Sequence, residues 1–130
     1  MREKILSLCE SGYRDVDSKL YKSALRQFYQ AWTLIPRPQY EHEEAGWVLT
    51  AIGDTYYLKA DYPPAIEALE SALHCDQAAD NPVILKRLGQ CHYHLGERQQ
   101  ARSYLGQALA AGGADIFKGE APQYLSLLEE

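Results

Sequence analysis

The residues best suited to chemistry are three cysteines and four histidines. Cys91 and His94 are three residues apart, which places them on one face of a helix, and His74 and Cys75 are adjacent. Thiolate and imidazole groups bind zinc, but neither the Cys-x-x-Cys nor the His-Glu-x-x-His spacing of common zinc sites occurs in the chain. We therefore expect no metal site, and a metal-binding protein is a distant alternative.

Other active-site patterns are also missing from the sequence. The glycines do not form a phosphate-binding loop, and there is no Gly-x-Ser-x-Gly turn to hold a nucleophile. Asp54 and Glu67 are single acids of the kind that usually face solvent on a helix. We predict that the chain is not an enzyme and uses no cofactor.

The composition and net charge of the chain limit the classes of partner that it is expected to bind. The chain has 130 residues, of which 46% are hydrophobic and 24% are charged, as is usual for a globular domain. Its net charge of −5 argues against nucleic acid and against an anionic membrane, because both require a basic surface. The odd number of cysteines, without tight spacing, predicts reduced and packed thiols, and hence a cytoplasmic protein.

The elements that must position these residues are helices. Apolar residues recur every three or four positions, and no segment alternates with the period of a strand. Asp17-Ser18, Asp61 and Asn81 are predicted to cap the helices that follow them. The expected helices span residues 2–17, 19–34, 39–58 (or from 45), 62–74, 82–95, from the turn at 96–97 to 111, and 121–128. A polar connection is expected at 77–81.

Small and large apolar residues recur at fixed offsets in three parts of the chain. Gly53 is followed by Ala65, Leu69 and Ala72. The same offsets give Gly12, Ala24, Phe28 and Ala31 upstream, and Gly89, Ala101, Leu105 and Ala108 downstream. A period in the mid-thirties with small residues at fixed offsets is typical of stacked helix hairpins.

This pattern resembles the tetratricopeptide repeat (TPR) family, whose 34-residue unit reads Trp-x2-Leu-Gly-x2-Tyr, then Ala-x3-Phe, Ala and Pro. The second unit matches best, with Leu49, Ile52, Gly53 and Tyr56 in its first half. The resemblance implies an all-α fold, a right-handed superhelical stack of three antiparallel helix hairpins in one domain over residues 1–130. It places the repeats at about 5–38, 46–79 and 82–115, and a capping helix at about 121–129.

Two interruptions of the repeat carry information. Gly12 and Gly53 are 41 residues apart, and Gly53 and Gly89 are 36 apart. The larger excess falls at residues 36–45, where either the third helix begins early or a loop protrudes. This stretch is a candidate for partner contact, and a surface loop without function is the alternative.

In the TPR family the first helix of each hairpin lines a concave face. Ten positions of this chain are predicted to bind a partner there: Tyr13, Asp17, Trp47, Thr50, Asp54, Tyr57, Lys86, Arg87, Gln90 and Tyr93. Four of them are aromatic, and tyrosine and tryptophan often anchor interfaces. The alternative is that Trp47 packs under the inserted residues and Tyr13 packs against the neighbouring helix. Some family members clamp a chaperone's terminal carboxylate in this groove, but here only Arg87 fits that pattern.

The resemblance implies a non-catalytic adaptor that binds a protein or peptide segment in its concave groove. Two narrower alternatives are a bacterial secretion chaperone and a toxin-associated immunity-type protein. The last helix, with Ile116 and Phe117 before it, is expected to cap the third hairpin. Its alternative role is to bind a second copy of the chain and form a homodimer.

Overall fold

The computed structural model describes residues 2–75 and 78–129 and is built from helices, with no strand in those residues. The α-helices are α1 (Arg2–Asp17), α2 (Tyr21–Thr33), α3 (Glu43–Leu58), α4 (Tyr62–Leu73), α5 (Pro82–His94), α6 (Arg98–Gly112) and α7 (Gln123–Leu128). Short 3₁₀ turns occupy Gln39–Glu41 and Ala114–Phe117. The polar connection predicted at 77–81 lies partly outside the described residues.

Helices α1 to α6 pack as three consecutive hairpins, α1 with α2, α3 with α4, and α5 with α6. Each hairpin closes on one glycine of its first helix. A Cβ atom on Gly53 would lie 2.5 Å from Cγ of Leu69, and one on Gly89 would lie 2.6 Å from Cγ of Leu105. The repeated glycines are therefore required for close approach of the two helices. The alanines at the repeated offsets of α2, α4 and α6 are fully buried.

The turn inside each hairpin uses the same backbone conformation. Lys19, Ala60 and Gly96 all have positive φ, at 61°, 61° and 78°. They are separated by 41 and 36 residues, the same spacing as the packing glycines. The left-handed conformation suits glycine and strains residues with a Cβ atom. Two of the three turns are therefore built with an unfavourable residue.

The predicted helix starts are partly correct. Asn81 caps α5, since its Oδ1 accepts hydrogen bonds from the amides of Val83 and Ile84 at 2.9 and 3.3 Å. The Asp17-Ser18 cap is wrong, because α1 continues through Asp17 and α2 begins at Tyr21 after an N-cap at Leu20 without a side-chain hydrogen bond. Asp61 stands at the N-cap of α4, but its side chain makes no cap hydrogen bond.

The inserted residues fold against the first hairpin. The 3₁₀ turn at Gln39–Glu41 is separate from α3, which begins at Glu43 and not at Gln39. Gln39 Nε2 donates to the carbonyl of Trp32 at 3.0 Å, and the Tyr40 ring meets the Trp32 ring edge-on at 5.7 Å. The insertion is thus neither a freely protruding loop nor a simple extension of the third helix.

The C-terminal segment covers the last hairpin, as predicted. Phe117, Tyr124 and Leu127 are buried in one cluster with Ala101 and Leu105 of α6. These side chains supply the apolar cover that a terminal repeat needs. None of the helices in residues 2–75 and 78–129 combines the length and apolar character needed to cross a bilayer.

Candidate functional site

The first helices of the three hairpins line one face of the stack, which carries an open cleft of about 670 Å³. Its lining comes from α1, α3 and α5 and from the residues before α5: Leu6, Cys9, Glu10, Tyr13, Glu43, Gly46, Trp47, Thr50, Ala78, Asn81, Val83 and Ile84. Cys9, Ala78 and Ile84 are buried, whereas Leu6 and Val83 are 40% and 48% exposed. The cleft therefore has an apolar floor and apolar walls that solvent reaches.

Two aromatic residues border this cleft. Tyr13 is 45% exposed, and its ring meets the edge of Phe28 at 5.3 Å. Burial, and secondarily the charge of Asp54, raises the pKa of the Tyr13 hydroxyl to about 12, so that it stays protonated at neutral pH. Trp47 lies under the guanidinium of Arg2, which is 5.0 Å from the ring centroid. Tyr13 thus packs against its neighbouring helix and also faces the cleft.

The other end of the same face is closed by the C-terminal segment. Glu120 accepts hydrogen bonds from Lys86 Nζ and from Gln90 Nε2, both at 2.8 Å. Lys86 Nζ also donates to the carbonyl of Ile116 at 3.0 Å. Burial raises the pKa of the Glu120 carboxyl, but these hydrogen bonds and the charges of Lys86 and Arg87 together lower it by more, and the net pKa is below its ordinary value. The carboxylate is held in its charged form.

A polar network continues from this carboxylate toward α3. Gln90 is fully buried, and its Oε1 accepts from Arg87 Nη1 at 2.9 Å. Arg87 Nε donates to Asp54 Oδ1 at 2.9 Å, and its guanidinium lies 4.3 Å from the ring centroid of Tyr57. The network links the second hairpin to the third through side chains that already have partners.

Tyr124 of α7 makes the second attachment. It is 4% exposed, and its hydroxyl shares hydrogen bonds with the Tyr57 hydroxyl at 3.1 Å and with His94 Nε2 at 2.9 Å. Its ring also meets the Tyr93 ring edge-on at 5.4 Å. Burial lowers the pKa of His94, so that its imidazole is neutral at pH 7. A neutral hydrogen-bonded cluster therefore fixes α7 against α3 and α5.

Comparison with solved structures identifies proteins whose fold is similar to that of this chain. The Yersinia enterocolitica type III secretion chaperone SycD, in complex with a peptide of the translocator YopD, superposes with a TM-score of 0.78 at 20% identity, covering 98% of this chain and 91% of that one. SycD alone gives a TM-score of 0.79 at 19% identity, with 99% and 83% covered. The first TPR of Spaghetti (RPAP3), bound to an HSP90 peptide, gives 0.78 at 16% identity, with 98% and 95% covered.

This chain has the TPR fold. The predicted all-α stack of three hairpins with a capping helix is confirmed. No family model matches the sequence, and no curated protein matches it. The similarity to the solved structures is therefore one of fold, at 16–20% sequence identity.

Nine of the ten predicted partner residues fall into two groups on this face. Tyr13, Trp47 and Thr50 line the open cleft. At the closed end, the other residues contact the C-terminal segment or the network next to it: Asp54, Tyr57, Lys86, Arg87, Gln90 and Tyr93. Asp17 is exposed at the end of α1 and is not among the described lining residues.

Glu120 and Tyr124 were not predicted to reach this face. A signal for Tyr124 exists in the TPR pattern, because a capping helix stands where the first helix of a fourth hairpin would stand, and first helices line the groove. Glu120 precedes α7 and has no such signal. Of residues 36–45, all of which the structure describes, Glu43 alone lines the cleft. The insertion otherwise lies beside Trp32.

The cysteines and histidines are not assembled into a site. All three cysteines are buried, and burial raises the pKa of Cys91 to about 12. His92 stacks on Tyr104 at 5.4 Å, whereas His94 stacks on Tyr62 at 5.0 Å. In residues 2–75 and 78–129 no group of three potential metal ligands occurs.

Proposed function

We propose that this chain is a non-catalytic protein-interaction module that holds a segment of another protein in the cleft between α1, α3 and α5. The observation that carries the proposal is the cleft itself, an open TPR groove whose apolar walls remain exposed. Exposed apolar concave surfaces of this kind are typical binding sites for a segment of another protein. Two structures of the same fold, SycD and the Spaghetti TPR, are described as complexes with peptides of other proteins.

The partner in this proposal is a different protein and not a second copy. The α7 side chains Tyr124 and Leu127 are buried within the chain's own cluster, which reduces the apolar surface that α7 offers to a second copy. The buried, free thiols of Cys9 and Cys91 are compatible with a reducing compartment, and we place the adaptor in the cytoplasm.

The test is a pair of matched variants. Leu6→Glu with Val83→Glu puts charges on the walls of the cleft, whereas Leu95→Glu changes a leucine of similar exposure (43%) outside it. A partner is first captured from the source organism, identified by mass spectrometry and purified. Its affinity should fall about tenfold or more for the double variant and stay unchanged for Leu95→Glu. Equal affinity for all three folded proteins would exclude the cleft as the binding site.

A narrower candidate is a chaperone for a secreted client. The observation in its favour is the similarity to SycD over nearly the full length of both chains. A chaperone should keep its client soluble in light-scattering assays without inhibiting it. An immunity-type protein should instead stop an enzyme in a 1:1 complex. These two outcomes separate the alternatives once a partner is in hand.

A further inference from the structure

The basic side chains at the closed end of the groove form ion pairs with carboxylates of the same chain. Lys86 Nζ lies 2.8 Å from Glu120 Oε2, and Arg87 Nε lies 2.9 Å from Asp54 Oδ1. All four side chains in these two pairs are less than a quarter exposed. An acidic segment would have to break one of the pairs to reach a cation there. The closed end therefore does not favour an acidic partner.

The open cleft carries the opposite charge. Glu10 of α1 and Glu43 of α3 line it from two different helices, and no lysine or arginine is among its described lining residues. The same cleft is lined by the exposed apolar side chains of Leu6 and Val83. The surface thus offers apolar contact together with negative charge, in a chain whose net charge is −5.

The mouth of the cleft already binds a cation from within the chain. The Arg2 guanidinium lies 5.0 Å from the Trp47 ring centroid and 3.7 and 3.6 Å from the carboxylates of Glu43 and Glu44. An aromatic face together with carboxylates is the usual environment for a bound guanidinium. The Glu43 side chain is still 68% exposed, so this contact leaves its carboxylate accessible to a second cation.

We propose that the segment bound in this cleft is apolar and basic: it inserts aliphatic or aromatic side chains between α1, α3 and α5 and places a lysine or arginine against Glu10 and Glu43. This inference rests on the proposed function and adds the chemistry of the partner. The carboxylates are exposed, so each pair contributes modestly and is weakened by salt. Together they should favour a basic segment roughly 5- to 20-fold over a neutral one.

Three fluorescein-labelled nonapeptides test this chemistry by anisotropy. All three carry the same two leucines among alanines, and they differ in two flanking residues, which are arginine, glutamine or glutamate. Each is titrated with the full chain, with the E10Q/E43Q variant, and with E67Q/E129Q. The last variant removes two negative charges at exposed positions that are not among the described residues of the cleft. The wild-type titrations are repeated at high salt.

The wild-type chain should bind the arginine peptide most tightly and the glutamate peptide most weakly. E10Q/E43Q should remove the difference between them, E67Q/E129Q should retain it, and high salt should reduce it. Equal binding of the three peptides by the wild-type chain would overturn the inference and leave the proposed function standing. Loss of the preference in E67Q/E129Q would also overturn it, because net charge and not the rim would then be responsible. Failure of every peptide to bind would count against both.

Discussion

Replacing Glu120 with glutamine tests how the C-terminal segment is attached to the groove. The change keeps the shape of the side chain but removes the charge that Lys86 Nζ and Gln90 Nε2 both contact at 2.8 Å. The side chains of Lys86 and Glu120 are 12% and 23% exposed, so solvent screens their interaction only in part. Gln90 is fully buried and has no access to water as a replacement acceptor.

The size of the effect follows from these contacts. Hydrogen bonds to charged groups contribute about 1.5–3 kcal/mol and neutral ones about 0.5–1.5 kcal/mol. Exchanging the carboxylate for an amide should therefore lower the free energy of unfolding by about 1–2 kcal/mol. For a chain of this length that corresponds to a Tm lower by about 4–8 °C. If the segment detaches locally, hydrogen-exchange protection of residues 114–128 should fall roughly 5- to 30-fold.

The measurement combines calorimetry with hydrogen exchange read by mass spectrometry. D115N is the matched control, since it removes a carboxylate from the same segment whose side chain is 88% exposed and 3.7 Å from Lys118. The control should leave Tm and exchange unchanged. If E120Q also leaves both unchanged, the charge of Glu120 does not hold the segment and the reasoning fails.

The same variant predicts a pH dependence. The pKa of Glu120 in the folded chain is below its ordinary value of 4.5. The stabilisation from its charged form is therefore complete above pH 4.5 and is lost as pH falls through the lower folded value. The Tm difference between wild type and E120Q should be constant near neutral pH and shrink in that acidic range. A difference that persists unchanged below it would assign the effect to shape and not to charge.

Five further substitutions test the scaffold, each by urea denaturation. Ala60→Gly should stabilise the chain because φ is 61° at this position, and Gly96→Ala should destabilise it by about 1 kcal/mol at the equivalent turn. Gly53→Ala should lower the free energy of unfolding by about 1–3 kcal/mol, since its Cβ would lie 2.5 Å from a core side chain. Gly106→Ala is the control: its Cβ would have its nearest contact at 3.8 Å, so the substitution should be neutral or stabilising. Asn81→Ala should lower the free energy of unfolding by about 1 kcal/mol, because it removes the N-cap of α5.

The repeated residues made the fold predictable, because each acts through close contact between neighbouring helices. Gly53 and Leu69 meet at a distance that no larger residue at position 53 allows, and the same offsets recur in all three hairpins. The start of α2 was predicted wrongly for a local reason. The turn after α1 uses Lys19 in a left-handed conformation, which lets α1 continue through Asp17 and moves the next N-cap to Leu20. Residue type alone carries no signal for that turn.

The candidate site was less predictable, because its accessibility depends on contacts between distant parts of the chain. Trp47 and Tyr57 are both aromatic residues on α3, and the sequence does not distinguish them. In the structure Trp47 lines the open cleft, whereas Tyr57 is bonded to Tyr124, 67 residues later. Lys86 is likewise paired with Glu120. The path of the C-terminal segment determines which positions on this face are covered and which remain accessible to a partner.

The cap and the groove are therefore one feature of this chain. A stack of three hairpins leaves the last one with an apolar side, and Phe117, Tyr124 and Leu127 cover it. The helix in that place packs on α6, and its Tyr124 side chain contacts Tyr93 and His94 of α5 and reaches as far as Tyr57 of the second hairpin. Covering the core thus shortens the groove from its C-terminal end. It follows that loosening the cap should lengthen the accessible groove. The E120Q variant should therefore bind segments longer than the cleft more tightly than the wild-type chain does, although its free energy of unfolding is lower.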